Sequence, residues 1–331
     1  MPDVIALTTE LVALPSVTRD EGAVVRFVAE WLLERGWTVQ QQPVSDGRSN
    51  VWASRRGGGV TLSTHLDTVP PFVAPRREGG RLYGRGSCDA KGIAAAMMCA
   101  AQQLAEAGED RVDLLFVVGE ERGSDGATAA NLLPATSRWL INGEPTESAL
   151  AAGCKGALRL TLRTVGREAH SAYPHLGDSA IARMVALLAD LDALVLPTDE
   201  RLGPCTLNVG TLHGGVAPNV IPGSCEAELL VRLVSDAGAV RDIISACVNG
   251  RADISFGLCI PAQHFRTVPG FDVRPMAYTS DIPLLTNWGT PLLFGPGSIH
   301  VAHTPNEFID VDELRASVTH YERLVRSLLA S

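Results

Sequence analysis

The chain is short of several features that would each announce a function. It carries no basic excess: 28 Lys and Arg stand against 37 Asp and Glu, a formal net charge of −9. With no basic stripe to neutralise phosphates, the charge argues against a nucleic-acid partner. Seven cysteines (88, 99, 154, 205, 225, 247, 259) are scattered and contain no C-x-x-C pair. That argues against a zinc ribbon or a disulfide framework, and for reduced thiols in the cytoplasm. No apolar run reaches transmembrane length. The opening stretch "MPDVIALTTELVALPSV" lacks a basic segment and cleavage site, and its Val4, Leu7, Leu11 and Leu14 recur at helical spacing instead. The glycine loop "LYGRGSCDAKG" reads G-x-G-x-x-D. A dinucleotide fingerprint needs a third glycine there and a phosphate loop needs G-x-x-x-x-G-K-[ST], so neither nucleotide reading holds. No internal repeat or low-complexity linker is present.

What the chain does have is bulk. Its 331 residues are 46% hydrophobic and 20% charged, enough for two ordinary globular domains. The first half alternates short apolar runs with helical patterns. "VWASRR" and "VTLSTHLD" read as strands around a Gly57–Gly59 turn, "DLLFVV" and "WLING" as buried strands, and "GIAAAMMCAAQQLAEAG" as a helix stopped by Gly108. This is an α/β architecture with a mostly parallel central sheet. From about Lys155 the texture changes. "ALRLTLRTVG" alternates as a half-exposed strand does, and "DSAIARMVALLADLDAL" is a helix with Ile181, Met184, Val185, Leu188 and Leu191 on one face. "TLNVGTLHGG", "CEAELLVRLV" and "DISFGLCI" add strands around another helical stretch. "TPLLFGPG" then returns to the buried style. The predicted organisation is a domain of residues 1–154 and 263–331, interrupted by an inserted α+β domain, 155–262, with a small antiparallel sheet and two helices.

Residues able to do chemistry lie where apolar runs stop. His65 and Asp67 stand two apart at a strand end, so they share a face; they suit a metal ligand with its orienting partner, or plain loop hydrogen bonds. Asp89 precedes a helix near Lys91 and alone reads as a helix N-cap. Glu120 and Glu121 follow "LLFVV" into a glycine-bearing turn, where two adjacent carboxylates need something to offset their repulsion and lost solvation. Glu144 follows "WLIN", and His303 sits near the C-terminus, with His300 beside it as an exposed loop residue. Strand C-termini of an open α/β sheet share one edge, where ligands bind. His65, Asp89, Glu121, Glu144 and His303 would then converge as a mixed nitrogen and oxygen set. Five ligands exceed one tetrahedral site and suit two divalent ions sharing a bridging carboxylate.

In this order, "THLDTVP", "YGRGSCDAKG", "GEERGSDGA", "INGEPTE", "GREAHSAYP", "GGVAPNVIP" and "GPGSIHVAHTPNEF" resemble the co-catalytic metallo-deacetylases and peptidases. That family includes acetylornithine deacetylase, succinyl-diaminopimelate desuccinylase, aminoacylases, LysW-carrier lysine hydrolases and glutamate carboxypeptidases. The resemblance implies a zinc-peptidase-like catalytic domain with an inserted lid and dimerisation domain. It implies that two zinc ions (cobalt or manganese being alternatives) are held by His65 with Glu144 and by Glu121 with His303. Asp89 would bridge them, Asp67 would back His65, and Glu120 would be the general base. It also implies a cis Asp89–Ala90 bond and a lid His170 that reaches a partner subunit's site to stabilise the oxyanion. Asn219 and Arg232 would bind substrate polar groups and carboxylate. The implied activity is release of a free amino acid from a small N-acyl amino acid of the acetylornithine type. A LysW-carrier lysine or ornithine hydrolase, a succinyl-diaminopimelate desuccinylase, and a dipeptidase or carboxypeptidase stand as alternatives. The expected setting is cytoplasmic, with no membrane and a possible homodimer through the lid.

Overall fold

The computed structural model describes residues 2–45 and 47–331. Its principal strands begin with β1 (Thr38–Ser45), β2 (Arg48–Ser54), β3 (Val60–His65), β4 (Val112–Val117) and β5 (Trp139–Asn142). They continue with β6 (Gly156–Val165), β7 (Thr206–Gly214), β8 (Ser224–Leu233), β9 (Asp253–Ile260) and β10 (Thr290–Leu293). The helices are α1 (Val4–Ala13), α2 (Gly22–Leu33), α3 (Lys91–Glu106), α4 (Asp125–Ala130), α5 (Ala180–Asp192), α6 (Ala237–Val248) and α7 (Val311–Leu329). Two compact units divide them. One comprises Met1–Ala152, Phe265–Arg274 and Ser280–Ser331; the other comprises Gly153–His264 and Pro275–Thr279.

The first unit is built on a six-stranded sheet ordered β1-β2-β4-β3-β5-β10. Strands β4, β3, β5 and β10 run parallel, while β1 and β2 form an antiparallel hairpin at one edge. Every residue of β3, β4 and β5 is buried, as expected for parallel strands covered on both faces. On one face Leu62, Leu114, Phe116 and Ile141 pack against α1, α2, α3 and α7. On the other, Leu115, Val117 and Leu140 pack against Ala127, Ala130 and Trp288. Helix α3 is buried along most of its length because its small alanines let it lie close between the sheet and its helical neighbours. The strands on either side of the Gly57–Gly59 turn are not neighbours, however. Strand β4 lies between them, paired antiparallel with β2 and parallel with β3. The reason is burial: β3 is apolar enough for an interior position, whereas β2 alternates with the surface and belongs further out.

The second unit is a four-stranded antiparallel sheet ordered β7-β8-β6-β9 with α5 and α6 on one face. Leu158, Leu160, Leu162, Leu229 and Val231 point inward against Met184 and Leu187 of α5 and Val240 and Ile244 of α6. The buried stripe of α5 is Ala180, Met184, Leu187 and Leu191, one step round the helix from the expected face, so Val185 is exposed. Edge strand β7 is exposed at every residue except the half-buried Leu207. Together the two units form the expected mixed α/β architecture, a mostly parallel central sheet plus a separate small antiparallel one. No disulfide joins any of the seven cysteines among the described residues. No helix among the described residues is long and apolar enough to cross a membrane.

Candidate metal centre

The parallel strands of the first unit deliver their C-termini to one edge of the sheet. Strand β3 ends on His65, β4 runs through Val118 and Gly119 into a single 3-10 turn at Glu120–Arg122, and β5 leads through Gly143 to Glu144. Gly119 has φ of +80°, and a side chain there would collide with those of Asp125 and Arg48. Only glycine lets β4 turn at that point. Asp89 is delivered by the loop before α3, and the Asp89–Ala90 peptide bond is cis. Asp89 is not the N-cap of α3; Ala90 occupies that position without a side-chain cap. His303 comes from the loop after β10.

Two overlapping clusters result. His65, Asp89 and Glu144 offer ligand atoms within 4.8 Å of one another, and so do Asp89, Glu121 and His303. Asp89 belongs to both and divides its oxygens between them: Oδ1 lies 3.1 Å from His65 Nε2, and Oδ2 lies 3.2 Å from His303 Nε2. His303 Nε2 is also 2.9 Å from Glu121 Oε1. The first set is buried throughout, whereas the His303 side chain is 49% exposed. His300 is exposed and belongs to neither cluster.

Asp67 acts differently from a simple partner of His65. The His65 Nδ1–H donates to the Asp67 backbone carbonyl at 3.0 Å, which leaves Nε2 facing Asp89. The Asp67 carboxylate stands 3.6 Å from Nδ1. Its Oδ1 accepts the backbone N–H of Glu120 (3.0 Å), and its Oδ2 accepts that of Glu121 (3.2 Å) and the Thr18 hydroxyl (2.8 Å). The same residue therefore orients the imidazole and holds the backbone of both glutamates.

Further residues, unmarked in the sequence by any apolar run, complete the frame. Buried Asn50 accepts the Val118 N–H and donates to the Gly126 carbonyl, closing the loop that carries Glu120 and Glu121. Arg48 ties that loop down by bonding Asp125 and the fully buried Glu21. Asp281 is a buried carboxylate in electrostatic reach of His65, Asp67 and Glu120. Glu307 is buried beneath the turn that ends on Asp89.

The electrostatics are those of a site short of positive charge. Burial pushes the Glu120 and Glu144 carboxyls well above their ordinary range, and neighbouring carboxylates push the same way. Burial also raises Asp281 to about 6. His303 is raised to about 10 by its contacts with Asp89 and Glu121. At His65, burial works downward but Asp67 and Asp89 outweigh it, so the imidazole is held well above its usual value. Asp89 is held low by the two imidazoles against the opposing effect of burial. Protons on these groups do what cations could do better. Two imidazoles and three carboxylates are a nitrogen and oxygen donor set for zinc-like divalent ions, and the split Asp89 suits a bridge. The residues fit two metal ions.

The remaining expected residues belong to the second unit and do not all gather at one point. His170 forms an isolated bridge with Val220, and Ser171 donates its N–H to the Asn219 carbonyl, so His170 and Asn219 share one exposed end of the unit. Arg232 lies near the far end of β8, opposite Thr206 and Ala157. Eight steps of β8 carry the chain from Ser224 to Arg232, roughly 26 Å at 3.3 Å per residue.

The sequence profile of peptidase family M20/M25/M40 matches residues 61–327. A peptidase M20 domain-containing protein of Schizosaccharomyces pombe is 38% identical over 98% of this chain and 84% of its own length. A probable carboxypeptidase of Aspergillus clavatus is 39% identical over 97% of this chain and 81% of its own. Among solved structures, a tripeptidase from Staphylococcus aureus has the same fold, with a TM-score of 0.82 at 20% identity over 99% of this chain and 98% of that one.

Proposed function

The chain belongs to peptidase family M20/M25/M40 and is a metal-dependent hydrolase of amide bonds, and from that premise we propose that it is a two-metal enzyme that frees an amino acid from a short peptide or an N-acyl amino acid. The observation that carries the reading is the division of Asp89 between His65 and His303, with Glu144 and Glu121 closing the two clusters. His65 and Glu144 would hold one ion, Glu121 and His303 the other, and Asp89 both. A donor set of imidazoles and carboxylates without thiolate suits zinc, with cobalt or manganese as alternatives. Bound there, the ions would supply Lewis acidity and make water a nucleophile at neutral pH.

Glu120 is the general base. It takes a proton from the attacking water and hands it to the leaving nitrogen. Asp67 fixes its backbone, so the carboxylate is aimed before substrate arrives. In this reading the first unit is the catalytic domain, and the inserted segment 155–262 is a lid that pairs two subunits. The Ala172 N–H donates to His170 Nδ1 at 3.1 Å. The proton of a neutral ring then sits on Nε2, a donor for the developing oxyanion. Asn219 would bind a polar group of the substrate, and Arg232 its carboxylate through a planar fork. Because most of the length of β8, roughly 26 Å, lies between Arg232 and the strand end next to His170 and Asn219, a site using all three would draw them from two chains. The uncovered edge of β7 is a natural seam for such a homodimer. Seven cysteines that form no disulfide among the described residues support a cytoplasmic setting.

The probable carboxypeptidases among the relatives favour a peptide substrate. Deacetylation of acetylornithine is the second reading, favoured by the likeness of "GPGSIHVAHTPNEF" to acetylornithine deacetylases. Both are one reaction, addition of water across the acyl–nitrogen bond of an amino acid with a free carboxylate. Release rates from dipeptides, longer peptides, acetylornithine, acetyl-lysine and succinyl-diaminopimelate separate them. A metal-loaded protein that cleaves none of these would refute the proposal.

A further inference from the structure

Glu307 stands four residues after His303, is of a ligand type, and lies in the same loop system as the candidate ligands. Its contacts give it another task. It is 2% exposed, and its Oε1 accepts three backbone N–H groups, from Gly86 at 2.9 Å, Cys88 at 3.1 Å and Asp89 at 3.0 Å. Its Oε2 accepts from Arg85 Nη1 at 2.6 Å, and its backbone carbonyl accepts the Gly84 N–H. An oxygen that receives three N–H donors has no lone pair left for a cation. We infer that Glu307 is a positioning residue: its carboxylate fills the nest of N–H groups in the Gly84–Asp89 turn and so aims the two oxygens of Asp89 at separate metal ions. The inference rests on the two-metal reading above.

The turn needs such a centre. Gly84 and Gly86 have φ of +145° and +87°, and the chain folds until the N–H groups of residues 86, 88 and 89 meet at one point. Successive N–H groups turned inward in this way bind an anion; here the anion is a side chain from 218 residues further on. Because Asp89 serves both clusters, a relaxed turn weakens both metal sites together. Loss of Glu121 or Glu144 would weaken one. Arg85 has a separate part. It neutralises the buried carboxylate but touches neither cluster.

The test uses full-length protein stripped of metal and titrated with zinc against a chromophoric chelator, with melting temperatures of the metal-free proteins. Glu307→Ala should lose about 10–100-fold in affinity at both sites, the usual cost of removing a group that supports a ligand. Glu307→Gln keeps an oxygen for the three N–H groups, so it should hold zinc within about threefold of wild type while melting lower, since Arg85 loses its charged partner. Arg85→Met should also melt lower with its zinc affinity kept. If Glu307→Ala does not fold, Glu307→Asp replaces it; one methylene shorter, it cannot reach the turn and should show the same double loss. The inference is overturned if Glu307→Ala binds zinc as wild type does, if one site alone weakens, or if affinity merely follows melting temperature across the set. No substrate enters the measurement. A wild type that binds two ions but cleaves no amide refutes the proposed function and leaves this inference standing; a wild type that takes up no metal refutes both.

Discussion

Replacing Glu120 by glutamine separates its chemistry from its place in the structure. Asp67 receives the backbone N–H groups of residues 120 and 121, so the turn persists when the side chain changes. The candidate ligands are untouched, and the variant should bind two metal ions. It should lose the proton acceptor, a contribution of about 10²–10⁴-fold in turnover, or roughly 2.7–5.5 kcal/mol at 1.36 kcal/mol per decade. Stability should move the other way. In the metal-free protein, burial, with help from Asp281, Asp89 and Glu121, holds the Glu120 carboxyl well above its ordinary value. Folding therefore favours the protonated form, and Glu120 costs stability as pH rises past its unfolded value of about 4.3. Glutamine cannot ionise. Metal-free Glu120→Gln should melt above wild type from about pH 5 upward, and with it below pH 4. Steady-state hydrolysis of the best substrate, metal analysis and melting curves across pH make the assay. Turnover within tenfold of wild type in a fully metallated variant would refute the assignment.

Other outcomes follow from the same geometry. In the metal-free chain His303 is raised to about 10 by Asp89 and Glu121, and Asp67 and Asp89 hold His65 above its ordinary value, so metal binding must displace imidazole protons. Zinc affinity should rise with pH, with protons released as the site fills; calorimetry in buffers of different ionisation enthalpy counts them, and zero release would contradict the pairing. The half-exposed His303 cluster should lose its ion to a chelator before the buried His65–Asp89–Glu144 set; release of both ions in a single phase would contradict the difference in burial. His170→Ala should keep both metals and lose about 10²–10³-fold in turnover. If His170 works across a dimer, mixing His170→Ala with Glu120→Ala should restore about a quarter of wild-type activity, since half the reassorted dimers are mixed and each has one intact site. No restoration after proven subunit exchange would place His170 in its own chain's site.

The candidate ligands were legible because strand ends are legible. An apolar run that stops on Asp, Glu or His marks a parallel-sheet edge, and His65, Glu121 and Glu144 all follow such runs. Asp89 and His303 sit on loops, and ordered motifs rather than periodicity drew attention to them. Asn50 and Arg48 carried no such mark, and Glu307, though inside the same motif as His303, showed nothing of its partners. Asn50 and Glu307 act on backbone groups 68 and 218 residues away and Arg48 on a side chain 77 residues away, and pairings of that kind leave no local pattern. The neighbours of β3 were likewise hidden, since the Gly57–Gly59 turn gives a change of direction but not which strand lies alongside. The phase of α5 slipped because Val185 is apolar yet faces water, and hydrophobicity alone cannot tell that stripe from the buried one. Strand β1, "TVQQQPVS", is an exposed edge with three glutamines and a proline, composition that reads as loop.

In the proposed function, five side chains from distant parts of the chain hold two cations that hydrolysis requires. Stripping the protein of metal and titrating zinc back, while recording bound metal and peptide hydrolysis together, tests it most directly. Two equivalents should bind, with activity absent at the start and restored as the ions enter. Hydrolysis at full rate by the stripped protein, or binding that saturates below one equivalent, would contradict this.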